Sequence, residues 1–365
     1  MSDVVSIVDN LIQRAIEKGA SDIHLESSAN NLRIRFRLDG LLHDQETIEK
    51  SIMDQVLSRI KVLANIDTSK KRIPQDGKFS IRNEDKLIDL RVSTFPTIYG
   101  QKCVIRILDN DTKIVQLDQL GFYEETLSKF MDMLNKSTGF ILVTGPTGSG
   151  KTTTLYGALS HLNSSEKNII TLEDPVEYCI DGVCQGQINN VSGFTFEKGI
   201  RSLLRQDPDI AMIGEIRDKE SAKIAIEASL TGHLVFSTLH TNDAPSAIMR
   251  LMDMGIEPFL INASLSGVLA QRLVRKLCAC KVQLDSVYKP NGCPKCDQAG
   301  YKGRCGIFEL LQLTDGLRAL IKEKPCFESI YQQSLKDGMK TLKQDAQQKV
   351  KDGITSVEEI LRVIN

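Results

Sequence analysis

Gly145-Pro146-Thr147-Gly148-Ser149-Gly150-Lys151-Thr152 follows directly on the apolar run Phe140-Ile141-Leu142-Val143. The octapeptide fits G-x-x-x-x-G-K-[ST], and its setting gives the match its weight. A buried strand delivers the chain into a tight glycine turn, and Thr153, Thr154, Leu155 and Tyr156 open the helix that leaves it. Backbone N–H groups of such a turn converge on phosphate oxygens, and the positive end of the helix adds to their pull. Lys151 then reaches the β- and γ-phosphates, and the Thr152 hydroxyl binds Mg2+. Residues 145–153 are therefore expected to hold a nucleoside triphosphate.

Downstream, apolar strand runs alternate with helical segments, the pattern of an α/β fold with a mostly parallel sheet. Strand candidates cover 168–172, 209–213 and 233–237, and they end in Glu173-Asp174, Gly214-Glu215 and Thr238-Leu239-His240-Thr241. Ligands of parallel sheets bind outside the carboxyl ends of the strands, so these polar ends should share the phosphate-loop side. Hydrolysis needs a group that orients or deprotonates water, and Glu215 is the expected one. An Asp commonly precedes such a Glu, but Gly214 stands there. Bound Mg2+ would then rely on Thr152, phosphates and water, helped by Glu173 or Glu177. The same Glu173 to Glu177 segment also reads as a turn stiffened by Pro175. His233 and His240 are an odd number of residues apart, which points them to opposite faces of a strand and argues against a two-histidine metal site.

The chain of 365 residues is long enough for two or three domains. Its 46 Lys plus Arg balance 47 Asp plus Glu, so no global charge draws it to nucleic acid or anionic lipid. With no basic, aromatic-lined groove pattern either, a nucleic-acid motor is disfavoured. No stretch reaches the ~18 apolar residues of a membrane span, and the N-terminus lacks the blocks of a secretory signal.

Residues 1–112 read as a separate α+β domain on an antiparallel sheet, 113–118 as a linker and 119–365 as the nucleotide-binding domain. Val4, Val8, Leu11, Ile12 and Ala15 fall at helical spacing behind an Asp3 cap. Leu32-Arg33-Ile34-Arg35-Phe36-Arg37-Leu38 alternates strictly before a hairpin turn at Asp39-Gly40, with its arginines on a solvated face. A helix over 52–62 and strands at 89–93 and 103–108 follow.

The nine cysteines, in a mid-sized chain without a signal, point to reduced thiols and a metal site rather than a disulfide framework. Cys278-Ala279-Cys280 and Cys293-Pro294-Lys295-Cys296 frame a short loop within a module at 276–300. Four thiolates in two close pairs suit tetrahedral, structural zinc, with free thiols as the alternative. Cys103, Cys179, Cys184, Cys305 and Cys326 fit no pattern and are expected to be packing residues.

Taken in order, the phosphate loop, Glu173 to Glu177, Arg201-Ser202-Leu203-Leu204-Arg205-Gln206-Asp207-Pro208-Asp209, Gly214-Glu215-Ile216-Arg217-Asp218 and the two-histidine segment resemble the secretion ATPase superfamily. The likeness is to the branch that powers type II secretion and type IV pilus assembly (GspE/PulE/PilB-like). There these segments are the Walker A, Asp box, atypical Walker B and His box motifs, and glycine before the Walker B glutamate is usual. Gly19-Ala20-Ser21-Asp22-Ile23-His24, Arg72-Ile73-Pro74-Gln75-Asp76-Gly77 and Arg91-Val92-Ser93-Thr94 extend the resemblance through the first domain. Gly255 to Ile261 and Gly267 to Arg275 look most like the type II secretion branch, with type IV pilus extension as the alternative.

The resemblance implies a RecA-like ATPase domain behind a PAS-like α+β domain, with the cysteine module as a zinc-binding insertion and a helical C-terminal region at 310–365. It implies ATP and Mg2+, with Glu215 and Glu177 as catalytic carboxylates. It places Arg91, Arg106, Arg201 and Arg205 around the γ-phosphate as arginine fingers, and His233 and His240 as reporters of nucleotide state at the same cleft. The first cysteine pair departs from the family's C-x-x-C, and the segment between the pairs is shorter. The implied assembly is a cytosolic hexamer, peripheral at the inner membrane, that drives a platform protein to add pseudopilus subunits and so export folded proteins. Members of this branch usually carry a further N-terminal docking domain.

Overall fold

A computed structural model describes residues 3–83, 86–109, 114–285 and 287–364. The chain divides into two compact units, Met1–Lys113 and Ile114–Asn365. The expected linker starts at 113, outside the described residues, and runs into a short 3-10 turn at Leu117–Gln119.

In the first unit, helix α1 (Val4–Glu17) starts where expected, its Val5 N–H capped by the Asp3 side chain. Strands β1 (Asp22–Ser27), β2 (Asn31–Leu38) and β3 (Leu41–Glu49) lead to α2 (Lys50–Leu63), then β4 (Gln75–Asn83), β5 (Lys86–Thr97) and β6 (Gly100–Asp109). The six strands form one sheet in the order β3-β2-β1-β6-β5-β4, antiparallel throughout. Alternation along β2 puts Leu32, Ile34 and Phe36 into a core shared with Val8, Leu11, Ile12 and Val56 of the helices. The arginines on the other face of β2 are not merely solvated. Arg33 pairs with Asp44, Arg35 with Glu26 and Arg37 with Asp22, because the neighbouring strands present carboxylates on the same face, Asp22 directly across from Arg37 and the other two diagonally.

The second unit runs α3 (Glu124–Leu134), β7 (Gly139–Thr144), α4 (Lys151–Leu162), β8 (Ile169–Glu173), β9 (Cys184–Gln187), α5 (Phe196–Leu203), β10 (Ile210–Ile213), α6 (Lys219–Leu230) and β11 (Leu234–Leu239). It continues through α7 (Ala244–Asp253), α8 (Pro258–Ser264), β12 (Leu265–Leu277), β13 (Val282–Leu284), β14 (Val287–Lys289) and β15 (Tyr301–Gln312). Four helices close the chain: α9 (Asp315–Ile321), α10 (Phe327–Lys336), α11 (Leu342–Lys351) and α12 (Val357–Val363).

Seven strands order as β15-β12-β7-β11-β10-β8-β9; the last six are parallel and β15 is antiparallel to β12. Strands β7, β10 and β11 are buried along their whole length, as the continuous apolar runs require of a sheet covered on both faces. The helical C-terminal region begins at Asp315, because β15 carries the sheet through Gln312. Among the described residues no helix is long and apolar enough to cross a membrane.

Candidate functional site

The loop leaving β7 is shaped by glycines. A Cβ on Gly145 (φ +148°) would lie 2.4 Å from the Gln271 carbonyl oxygen, so no side chain fits. Half-buried Lys151 at the start of α4 folds back and donates to the carbonyls of Gly145 (2.8 Å) and Pro146 (3.1 Å). Burial pushes its ammonium pKa down, and the charge of Glu215 works against that shift. The Ser149 hydroxyl is buried with no hydrogen-bond partner among the described residues. A bound anion fits these residues: it would offer acceptors to both groups and the charge that burial denies Lys151. Pro146, Thr147 and Thr152 are exposed around the same turn.

Beside β7 lies β11, and beyond it β10, so their carboxyl ends stand in a row. The Thr144 hydroxyl joins the first two, contacting the Leu239 carbonyl (3.0 Å) and the Thr241 hydroxyl (2.7 Å). At the end of β10 the Gly214 N–H donates to the Leu172 carbonyl (2.8 Å), and a Cβ there would come within 3.2 Å of that oxygen. A side chain there would be tighter than an ordinary contact against that backbone oxygen, which disfavours the Asp that is commoner at this place.

The Glu215 carboxylate takes a hydrogen bond from Arg217 Nε (2.6 Å) and lies 3.6 Å from His240 Nε2. Arg217 also faces Asp174 at 3.6 Å and sits over the Phe196 ring at 5.5 Å. Carboxylate, imidazole and guanidinium are therefore clustered at the strand ends beside the phosphate loop.

Two expected site residues are otherwise engaged. Glu173, expected among the ligands of the nucleotide and its Mg2+, ends β8 but is only 4 % exposed. Its oxygens accept from Tyr156 (2.5 Å), Thr171 (2.5 Å) and Gln185 (3.2 Å), and burial raises its pKa. Both oxygens being committed, it braces α4 rather than facing a ligand. His233 precedes β11 while His240 follows it, about 23 Å apart at ~3.3 Å per residue. The His233 ring bonds the Ala228 carbonyl (2.8 Å), so it belongs to the far end of the sheet.

Glu177 stands at the near end, its N–H donating to the Tyr156 hydroxyl (3.3 Å). Arg201 pairs with Glu197 and Glu220, and Arg205 donates to the Arg201 carbonyl (2.8 Å); among the described residues neither bonds the phosphate loop.

In the first unit Arg91 and Arg106 are direct cross-strand partners on β5 and β6. With Asp76, Lys78 and Ser93 they line a concavity of about 540 Å3, and Asp22 of β1 accepts from Arg106 Nε (3.0 Å). Like charges set directly opposite one another are destabilising. Here the Asp22 carboxylate offsets the charge of Arg106.

The four expected cysteine ligands come together. Sulfurs of Cys278, Cys280, Cys293 and Cys296 all lie within 4.8 Å of one another. Three of the separations are 3.8, 3.9 and 3.7 Å, against about 3.8 Å for the edge of a tetrahedron with 2.3 Å zinc–sulfur bonds. Burial would raise the Cys296 thiol, but N–H groups of Cys293 (3.2 Å) and Gly300 (3.3 Å) aimed at its sulfur outweigh that and bring it down to about 7. The C-x-C pair does not prevent convergence of the four sulfurs. Of the remaining cysteines, Cys103 and Cys305 are buried packing residues as expected, whereas Cys179, Cys184 and Cys326 are exposed, lying outside the apolar cores.

Sequence reasoning passed over Gln271, whose side chain bonds the phosphate loop and α4. Its one signal was a polar amide inside the apolar run Val268-Leu269-Ala270. Arg217, within Gly214 to Asp218, carries no sequence signal that separates it from a surface arginine.

A family model described as "Type II/IV secretion system protein" matches residues 1–362. The chain is 46% identical to the type II secretion system ATPase E of Vibrio cholerae serotype O1, over 99% of its own length and 75% of that protein's. It is 44% identical to the type IV pilus assembly ATPase TfpB of Acinetobacter baylyi, covering 99% of this chain and 65% of TfpB. Among solved structures, the pilus retraction motor PilT with bound ADP matches with a TM-score of 0.67 and 28% identity, over 97% of this chain and 95% of PilT.

Proposed function

The chain belongs to the type II/IV secretion system protein family, and from that premise we propose how its residues work. It is an ATP-hydrolysing protein of the type II secretion class. The single observation behind the residue roles is the grouping of Lys151, Glu215 and His240 at neighbouring strand ends.

ATP enters with its phosphates in the turn formed by Gly145, Pro146, Thr147, Gly148, Ser149 and Gly150. Lys151 exchanges the carbonyls of Gly145 and Pro146 for phosphate oxygens, which restores the charge environment that burial removes. Thr152 and Thr153 complete the cradle at the first turn of α4. The Thr152 hydroxyl would hold Mg2+ together with the phosphates, and the ion would supply neutralisation of charge on the leaving group.

Glu215 orients the attacking water and accepts its proton, with Glu177 as the second carboxylate. His240, in contact with Glu215, senses the state of that carboxylate. Arg91, Arg106, Arg201 and Arg205 stabilise the charge that develops on the γ-phosphoryl group. Arg201 and Arg205 first have to leave their present partners. Cys278, Cys280, Cys293 and Cys296 would hold zinc as a structural ion that stabilises the module, since four protein ligands would leave no open position for chemistry.

The working form is a hexamer, cytoplasmic and peripheral at the inner membrane. Hydrolysis there displaces a platform protein, adds pseudopilus subunits and exports folded proteins. The similarity to a pilus assembly ATPase supports pilus extension as the second reading.

Phosphate release tests the chemistry. Glu215→Gln is expected to bind ATP normally while turning over at least a hundredfold more slowly, because size is kept and the carboxylate lost. Lys151→Ala is expected to weaken nucleotide binding itself. Wild-type turnover by Glu215→Gln would remove Glu215 from its role.

A further inference from the structure

We infer that Gln271, on β12, is a positioning residue that sets the phosphate loop in its binding-competent form; this rests on reading residues 145–152 as the ATP site. Gln271 is 2 % exposed, and its amide is bonded at both ends. Nε2 donates to the Ser149 carbonyl at 2.7 Å, and Oε1 accepts from the Thr154 hydroxyl at 2.7 Å. The assignment of the amide is fixed by chemistry, because a carbonyl can only accept and so must face the NH2 group.

The same residue touches the loop at its entrance and its exit. Its backbone oxygen occupies the space a Cβ on Gly145 would need, and its Nε2 lies 3.0 Å from where a Cβ on Gly150 would stand. One side chain and its own carbonyl therefore border Gly145, Ser149, Gly150 and the first turn of α4.

The consequence comes from peptide planarity. In a trans peptide the carbonyl of residue i and the N–H of residue i+1 point in opposite directions. Gripping the Ser149 carbonyl from β12 turns the Gly150 N–H away from β12, toward the side of the loop left for phosphate. Rotation of that peptide would change ψ of Ser149 and φ of Gly150. Glycine tolerates φ of either sign, so the backbone alone resists the rotation weakly. The Gln271 bond supplies the resistance. Glutamate or leucine could fill the same space, but an ionised carboxylate and an alkyl group both fail to donate.

Titration with ATP and steady-state hydrolysis test this. Gln271→Leu keeps the volume and removes the donor, and is expected to raise the KM for ATP about tenfold while kcat stays within about twofold. Gln271→Glu is expected to give a KM that climbs with pH as the carboxylate ionises and loses its proton for Ser149, a dependence the wild type lacks. Glu359→Gln, which loosens the anchorage of Arg275 further along β12, serves as a control: it lowers the melting temperature and leaves KM at the wild-type value. Wild-type KM in both Gln271 variants, or an equal rise in Glu359→Gln at equal loss of melting temperature, overturns the role of Gln271. Failure of the wild-type chain to bind ATP overturns the site reading beneath it.

Discussion

Replacing Glu359 with glutamine tests how the last helix is held to the ATP-binding unit. Glu359 is 1 % exposed. It accepts from the Arg275 backbone N–H (2.9 Å), from Arg275 Nε (3.0 Å) and Nη2 (2.7 Å), and from Arg362 Nε (2.9 Å) and Nη2 (2.5 Å). Burial alone would push this carboxyl up. The bonds from Arg362 and Arg275 outweigh burial and hold it at about 2, against an ordinary value of 4.5.

That depression corresponds to about 3 kcal/mol for the ionised form. Arg362 is partly exposed, and screening there leaves ~2 kcal/mol. Because the folded-state value is depressed, the stabilisation is complete above about pH 4.5 and fades as pH falls toward 2.

Hydrogen exchange across Val357–Val363 reads this locally. At pH 7 Glu359→Gln should lose roughly thirtyfold in protection of α12 amides relative to wild type. The gap between the two proteins should hold down to pH 5 and narrow by pH 3.5. A gap that is absent at pH 7, or that does not change between pH 7 and pH 3.5, would refute the argument.

Arg91→Ala and Arg106→Ala are each expected to lower ATP turnover by at least tenfold while changing nucleotide affinity little, as measured by phosphate release beside ATP titration. Wild-type kinetics in both would remove the first unit from catalysis. Cys293→Ser combined with Cys296→Ser should release about one zinc per chain and loosen the module while ATP binding survives, measured by elemental analysis and thiol titration. Wild-type protein purified without chelator that holds no metal, with all four thiols titratable, would eliminate zinc.

Much of the fold was legible because local pattern and burial agree. Continuous apolar runs at 140–143 and 210–213, too short for helices and bounded by glycine turns or polar residues, fit strands buried on both faces, and Leu32 to Leu38 announces a half-buried strand by strict alternation. The pairing of β12 with β15 was not legible. Val268 to Val274 is a short apolar run whose period fits no single element, and its antiparallel partner lies beyond the whole cysteine module. β4 escaped because its polar start, Gln75-Asp76-Gly77-Lys78, leaves only Phe79 and Ile81 to carry the alternation.

Of the site, the phosphate loop, Glu215 and the four cysteines were legible from spacing. The commitment of Glu173 to Tyr156, Thr171 and Gln185 was not. It depends on which way one carboxylate turns at a strand end, and a residue two positions away along the chain decides that as much as one seventeen away does.

β12 has a mechanical meaning. From Gln271, seated against the phosphate loop, the strand runs about 23 Å to Cys278 at ~3.3 Å per residue. It is laced to β15 over most of that length, clamped at Arg275, and tied at Leu277 to the Ile354 carbonyl. A ribbon bonded in this way bends but does not stretch. The cysteine module thus sits at one end of a bonded strand whose other end borders the phosphate loop, and it is held as well by the turn after α11, where the Lys281 ammonium donates to the Gly353 carbonyl (2.6 Å). A displacement of the module is therefore expected to be felt beside the phosphate loop, because the strand that joins them is paired with β15 over most of its length.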